Sequence, residues 1–208
     1  MISEQQRQLM RMRLNVAKST FKFFDEHKIR SPNSMTHHFF KMRHPYQHRE
    51  NKITIDNYRE NTACNGSILT SFHNAALTKL GNCQEKACIC YSSLCGNPIL
   101  LNNSEKSYVS LCHGVEYDHV LVIISDNPIT RYSMINTLGV TALIVDAWTN
   151  DLYFPNSPLF EFKNIPNPVQ SRVRFRLIAS PVSQFENFPE LPESQLVNVS
   201  LFSKKTHL

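Results

Sequence analysis

The stretch GNCQEKACICYSSL, residues 81–94, decides the fold that we expect for this chain. Gly81 is typical of a residue that caps the end of a helix, so the segment 67–80 is predicted to be helical and to stop there. A second helix is predicted to begin near Asn82 and to run to about Leu94. Four of its side chains share one face at helical spacing: Cys83, Ala87, Cys90 and Leu94.

A long amphipathic helix is predicted near the N-terminus, over residues 3–28. Its apolar side chains recur every three or four positions: Met10, Leu14, Ala17, Phe21 and Phe24. Residues 1–50 carry ten Lys and Arg against four Asp and Glu, whereas the remainder carries twelve against thirteen. A basic surface of this kind could meet an acidic protein, anionic lipid or nucleic acid, although a solvated helix face explains the same excess.

After residue 98 the apolar pattern changes to short runs rich in Val, Ile and Leu, which predict strands. The runs are Ile99–Leu101, Tyr108–Cys112, His119–Ser125 and Ala142–Ala147. Between them, 130–138 is predicted to form a short helix. A further strand is predicted over Ser171–Ala179, where Arg172, Arg174 and Arg176 alternate with Val173, Phe175 and Leu177 as on an antiparallel strand with one wet face. Helices followed by an antiparallel sheet indicate an α+β fold, with the Cys-bearing helix packed on the sheet.

Length and composition fit one folded core with extensions. The 208 residues are 41% hydrophobic, which is enough to form a core. We expect a basic N-terminal helical segment over 1–60, the core over 61–182, and an irregular tail over 183–208. No apolar run approaches the roughly 18 residues of a membrane span, and no signal-peptide core is present. We therefore expect the six cysteines to remain thiols in a reducing compartment. Glycine-rich phosphate loops are absent, and we expect no cofactor.

Three residues are candidates for thiol chemistry. Cys83 lies in the first turn of a predicted helix, where backbone N–H groups and the helix dipole favour a thiolate. His119 begins an apolar strand, and histidine is the natural base for a thiol. Asp146 ends another apolar strand, where an acid is costly unless it is paired. Trp148, two positions further on a predicted strand, would share a face with Asp146 and shield it from water.

The order Cys, His, Asp, on a helix and two later strands, is that of papain-like enzymes. Gly-Asn-Cys-x-Glu, Asp-His-Val and Val-Asp-x-Trp resemble papain-fold bacterial effector and toxin domains, over roughly residues 62–150. That group includes cysteine proteases, glutamine deamidases and transglutaminase-like enzymes. The resemblance implies Cys83 as nucleophile, His119 as general base and acid, and Asp146 as the orienting residue. It also implies a protein substrate rather than nucleic acid, with a host protein as the expected target of an effector delivered to the host cytosol.

The oxyanion hole departs from the papain pattern. Papain-like proteases carry a glutamine shortly before the nucleophile, where this chain has Ala76 and Leu77. Asn74, Asn82, Gln84 and backbone N–H groups are the candidate donors in its place.

Other interpretations of the same residues remain open. His113 could replace His119 as the base. Cys83, Cys88, Cys90 and Cys95 could bind zinc, but their spacing on a helix disfavours a metal site. The cluster of His37, His38, His44 and His48 could also hold a metal, but it is more typical of a polar surface loop. Alternatively, the chain could be a non-catalytic module that docks to an acidic surface through Arg11, Arg13, Lys18 and Lys22.

Overall fold

The computed structural model describes residues 2–31, 68–102, 107–115, 119–159 and 174–180, together with Thr54 and Asn57. Several sequence predictions lie outside these residues, namely those for the His37–His48 cluster, for Arg172 and Val173, and for the tail beyond 183. The bounds proposed for the three segments of the chain likewise fall there.

The structure gives the bounds of four helices. They are α1 (Glu4–Glu26), α2 (Ile68–Thr78), α3 (Cys83–Cys95) and α4 (Pro98–Leu101). The start of α1 is fixed by a reciprocal pair of hydrogen bonds: the Gln6 backbone N–H donates to Ser3 Oγ (3.1 Å), and the Ser3 backbone N–H donates to Gln6 Oε1 (2.9 Å). The apolar stripe of α1 faces the core, as its periodicity predicts, and α1 packs on α3.

The end of α2 differs from the prediction. The helix stops at Thr78, and Lys79 adopts the left-handed conformation at φ 57° that Gly81 was expected to supply. Gly81 matters for space instead, because a Cβ there would lie 3.1 Å from the Cβ of Glu85 in α3. The Gly81 N–H donates to the carbonyl of Arg30 (2.8 Å), which anchors the segment that leads into α3.

The strands form one six-stranded sheet in which every neighbouring pair is antiparallel. Its order is β3-β6-β1-β2-β4-β5. The strands are β1 (Tyr108–Gly114), β2 (Val120–Ser125), β3 (Tyr132–Met134), β4 (Leu143–Asp146), β5 (Asp151–Tyr153) and β6 (Arg174–Ala179). The fold is therefore α+β, with a Cys-bearing helix and an antiparallel sheet, as the sequence indicates.

Two secondary-structure predictions are wrong, and one strand was missed. Ile99–Leu101 lies in helix α4, because Pro98 stands in its first turn and Asn97 caps it by accepting a hydrogen bond from the Ile99 N–H (3.0 Å). Within 130–138, Tyr132–Met134 is a strand that pairs with β6, and Ile135–Thr137 is a single 3₁₀ turn. The missed strand, β5, is three residues long and has no alternating pattern long enough to predict it.

The sheet has a hydrophobic cluster on each face. One cluster joins α1 and α3 to alternate residues of the central strands, including Val120, Val122 and Val145. The other contains Leu121, Ile123 and the residues that cover the opposite face, including Leu138. Because β2 is buried on both faces, it reads as a continuous apolar run rather than as an alternating one.

Arg13 does not belong to a basic docking face, contrary to the sequence interpretation. Its side chain is fully buried, and its Nη1 lies 2.6 Å from Asp126 Oδ1 and 2.8 Å from the Thr141 carbonyl. Its Nε also donates to Ser107 Oγ (3.2 Å). Burial lowers the pKa of Arg13, and the charge of Asp126 counteracts that effect. The residue therefore joins α1 to the sheet, whereas Arg11, Lys18 and Lys22 are exposed.

Within the described residues, no helix combines the length and the apolar character needed to cross a membrane.

Candidate active site

Strand topology brings His119 and Asp146 to the same end of the sheet. His119 stands immediately before β2, and Asp146 is the last residue of β4. These strands are antiparallel neighbours with Val122 opposite Val145, so the start of one meets the end of the other. The His119 Nε2 lies 2.8 Å from Asp146 Oδ2.

Asp146 is held by hydrogen bonds on both of its oxygens. Oδ2 contacts the imidazole, while Oδ1 accepts the backbone N–H groups of Trp148 (3.1 Å) and Thr149 (3.2 Å). The sequence left two interpretations open, an orienting acid or a turn-forming aspartate. In the structure this side chain makes both kinds of contact.

Trp148 lies beside His119, but the local structure that places it there differs from the prediction. It lies in the turn after β4 rather than on a strand, so the argument from strand alternation does not apply to it. The turn nevertheless places its ring centroid 5.3 Å from that of His119, at an interplanar angle of 59°. The indole therefore packs beside the imidazole and limits the access of water to that side.

Cys83 is the first residue of α3, and its side chain is half-buried. Its thiol lies close enough to His119 to raise the pKa of the imidazole. Since Nε2 of the imidazole faces Asp146, Nδ1 is the ring nitrogen left for the thiol. The start of α3 is defined by Glu85, whose Oε2 accepts the Asn82 backbone N–H at 2.9 Å. The structure thus brings together the three residues that the sequence singled out.

The electrostatics of the site favour a charged imidazole. Burial by itself lowers the pKa of His119, but hydrogen bonds to Asp146 and Cys83, and the charges of both, outweigh it. The net effect raises the pKa of His119 from 6.5 to about 9. An imidazolium between a carboxylate and a sulfur can hold a proton for later delivery to a leaving group.

The other described cysteines sit in different surroundings. Burial raises the pKa of Cys88, Cys90 and Cys95 to about 12, and it also raises the pKa of Cys112. His119 does not contribute to the pKa shift of any of these four thiols. Thiols that are buried in this way are unreactive because the thiolate is disfavoured. Among the described cysteines, Cys83 is therefore the best placed for chemistry.

The structure also gives the positions of the residues in the rival assignments. His113 lies within β1, opposite Val120 on β2, and it is half-buried. In the described parts of the chain, no three His, Cys, Asp or Glu side chains come together as metal ligands would.

The candidate oxyanion donors occupy α2 and the start of α3. Asn74 is buried in α2, where Ala76 is half-buried and Leu77 is exposed. Asn82 and Gln84 flank Cys83 and are half-buried.

Sequence reasoning missed Lys86, one helical turn after Cys83. Its side chain is half-buried, and its Nζ lies 5.4 Å from the centroid of the Phe24 ring. Burial lowers the pKa of Lys86, while the charges of Cys90, Asp25 and Asp146 raise it. Its spacing of three residues from Cys83 on a helix is the signal that could have identified it.

Comparison with known proteins gives no relative for this chain: no family model, no curated protein and no solved structure matches it.

Proposed function

We propose that this protein is a thiol enzyme that acts on amide bonds of a protein substrate, with Cys83 as nucleophile, His119 as acid and base, and Asp146 as the orienting residue. The observation that carries the proposal is the position of His119, which lies 2.8 Å from the Asp146 carboxylate and close enough to the Cys83 thiol for that group to raise its pKa. A nucleophile, a base and a group that orients the base are the minimum set for covalent acyl transfer.

The first half-reaction forms a thioester. The Cys83 sulfur attacks the carbonyl carbon of the amide, and the carbonyl π electrons move to oxygen to give a tetrahedral oxyanion. When the oxyanion collapses, the C–N bond breaks and His119 gives its proton to the departing nitrogen. In the second half-reaction, water or an amine attacks the thioester while His119 accepts its proton, and the thiolate leaves.

Backbone groups of α3 are our preferred stabilisers of the oxyanion. The first N–H groups of a helix have no partner within the helix, and they carry the positive end of its dipole. Because Cys83 begins α3, those groups lie beside its sulfur. Asn82 and Gln84 flank the nucleophile and could add a side-chain donor.

Three reactions share this first step. A peptide bond as substrate gives a protease, a glutamine side chain and water give a deamidase, and a glutamine side chain and a lysine amine give a transglutaminase. The resemblance of the three motifs to papain-fold effector domains supports this group of activities and makes host proteins the first substrates to try.

Intact-mass measurement of candidate proteins after incubation with the enzyme separates the three. Fragments indicate proteolysis, a gain of about one dalton indicates deamidation because NH₂ becomes OH, and a joined species indicates crosslinking. The Cys83→Ala variant should abolish the change, and Cys88→Ala, on a buried thiol of the same helix, should preserve it. A Cys83→Ala protein with full activity would refute the proposal.

A further inference from the structure

Among the described residues, the helices cover only part of the sheet face that carries α3. In the pairing of β1 with β6, Cys112 lies opposite Leu177 and Gly114 opposite Phe175. Cys112 and Phe175 belong to the cluster on the face away from α3. Because side chains alternate along a strand, Arg174 and Arg176 lie on the face that carries α3.

One row of side chains crosses that face from its covered part to its open part. His113 of β1 lies opposite Val120 on one side and Arg176 on the other, and Arg176 lies opposite Tyr132 of β3. Val120 is packed in the core with α3 and is 8% exposed, whereas Tyr132 is 49% exposed. The described helices therefore lie on this face over β2, whereas Arg174 and Arg176 of β6 and Tyr132 and Met134 of β3 are exposed.

The accessible part is both basic and apolar. We name it the open shelf. It is defined by five exposed residues that lie on β3, on β6 or directly after β1: Val115, Tyr132, Met134, Arg174 and Arg176. Arg131 adds a third guanidinium, with its Cζ 5.7 Å from the centroid of the Tyr132 ring. None of these residues is acidic, and three have large apolar side chains that are well exposed.

Backbone hydrogen bonds connect the open shelf to the candidate active site. The Gly114 N–H donates to the carbonyl of His119 (2.9 Å), and the Val115 N–H donates to the carbonyl of Arg174 (2.9 Å). The shelf thus begins at the sheet end where His119 stands. It also shares the face of the sheet with α3, whose first residue is Cys83.

We infer that the open shelf binds an extended segment of the protein substrate rich in acidic and apolar residues, and directs it toward Cys83. This inference rests on the function proposed above. An extended peptide presents its side chains alternately to two sides, which suits a surface where arginines stand beside Tyr132, Met134 and Val115. Opposite charge across such a surface mainly sets specificity and the rate of association.

The test uses two fluorescent peptides of about eight residues, roughly 26 Å when extended. One alternates Glu and Leu and the other Lys and Leu, and each carries a terminal chloroacetamide that alkylates a thiol. The rate of Cys83 labelling by each peptide is divided by its rate with iodoacetamide, which needs no docking. We expect the Glu peptide to label Cys83 at least about tenfold faster than the Lys peptide.

Charge reversal locates the binding surface. The double variant Arg174→Glu/Arg176→Glu should remove the preference for the Glu peptide, and Arg131→Glu/Arg176→Glu is a second variant that leaves Arg174 intact. The matched control is Lys18→Glu/Lys22→Glu, which reverses two exposed charges on α1 and should keep the preference. Thermal melting of each variant checks that it is folded.

Fluorescence anisotropy of the peptides on a Cys83→Ala protein measures docking without chemistry. A Cys83 that iodoacetamide does not label faster than the other thiols would count against the proposed function, while anisotropy would still test the shelf. Equal binding of both peptides, or a preference that survives both shelf variants, would overturn the inference. Displacement of the Glu peptide by a lower concentration of single-stranded oligonucleotide would also overturn it, in favour of nucleic acid.

Discussion

The two oxygens of Asp146 make separable contributions, one to the turn and one to the imidazole. Oδ1 accepts two backbone N–H groups of the turn that carries Trp148, and Oδ2 contacts His119. Asparagine retains an acceptor for the turn but has no negative charge. Alanine removes the acceptor and leaves two N–H groups without it.

We therefore expect Asp146→Asn to keep the turn and to lose the stabilisation that the carboxylate charge gives to the His119 imidazolium. Its Cys83 should react with iodoacetamide at pH 7 about tenfold more slowly or worse. A tenfold change in the alkylation rate corresponds to the free energy of a shift of one pKa unit, here the stabilisation that the Asp146 charge gives to the His119 imidazolium. Asp146→Ala should slow Cys83 equally, and its free energy of unfolding should lie about 1–3 kcal/mol below that of Asp146→Asn because the turn also loses its acceptor. The measurements are urea unfolding and the alkylation rate by mass spectrometry. Equal stability of the two variants would contradict the assigned role of Oδ1.

The raised pKa of His119 makes stability depend on pH in a defined window. The pKa is about 9 in the folded protein, against 6.5 for an ordinary histidine, so the folded state holds a proton that the unfolded state has lost. The stabilising contribution is fully present below pH 6.5 and is lost as pH rises through 9. The urea midpoint should fall over that range. In His119→Gln the fall should be smaller, and an equally steep fall in that variant would exclude His119 as its source.

At the scale of elements, Arg13 shows that α1 is bonded to the sheet as well as packed on α3. Its guanidinium contacts Asp126, Thr141 and Ser107, which lie more than 90 residues away in sequence. Asp126 in turn accepts the Thr141 N–H at 3.0 Å. Removing one member of a buried ion pair leaves the other charge without compensation.

Arg13→Ala should accordingly lower the free energy of unfolding by about 3–5 kcal/mol. Arg11→Ala, an exposed position on the same helix, should change it by no more than about 0.5 kcal/mol. Urea unfolding followed by tryptophan fluorescence measures both, since the chain has one Trp. Similar effects for the two variants would mean that the buried network contributes little.

The sequence was informative about elements wherever a periodic pattern was long. The helix predicted over 3–28 is observed at Glu4–Glu26, and the apolar run 119–125 is observed as β2 at Val120–Ser125. The failures are short segments: α4 has four residues, and β3 and β5 have three each. Pairing with a neighbouring strand decides such segments, and pairing partners are not visible in a local pattern. The interpretation of Arg13 as a surface residue was wrong for a similar reason, because its hydrogen-bond partners come from distant parts of the chain.

At the scale of the whole molecule, the candidate site depends on sheet order. His119 and Asp146 are 27 residues apart, and they meet because β2 and β4 are neighbours although β3 lies between them in sequence. From the sequence, each residue could be assigned to the end of an element, but its distance from the others could not be derived. Trp148 shows the same limit, since a turn rather than a strand brings it to His119.

This arrangement predicts that two thiols of the same helix, those of Cys83 and Cys90, differ in how readily they are alkylated. Cys83 is half-buried at the start of α3, whereas Cys90 is fully buried two turns later and contacts Thr20 Oγ1 of α1 at 3.4 Å. Cys83 should therefore be alkylated in the native protein at pH 6, at a rate that low urea hardly changes. Cys90 can react only when α1 and α3 separate, so its rate should rise with urea in parallel with the unfolded fraction.

The measurement is peptide mapping after short pulses of iodoacetamide across a urea series, with Cys112 as a second buried reference. Because Cys90 and Cys112 lie in the clusters on opposite faces of the sheet, equal urea dependence for both would mean that the two faces unfold together. If Cys83 became reactive only along with these two, its thiol would not be available in the folded protein, and the proposed chemistry would lose its nucleophile.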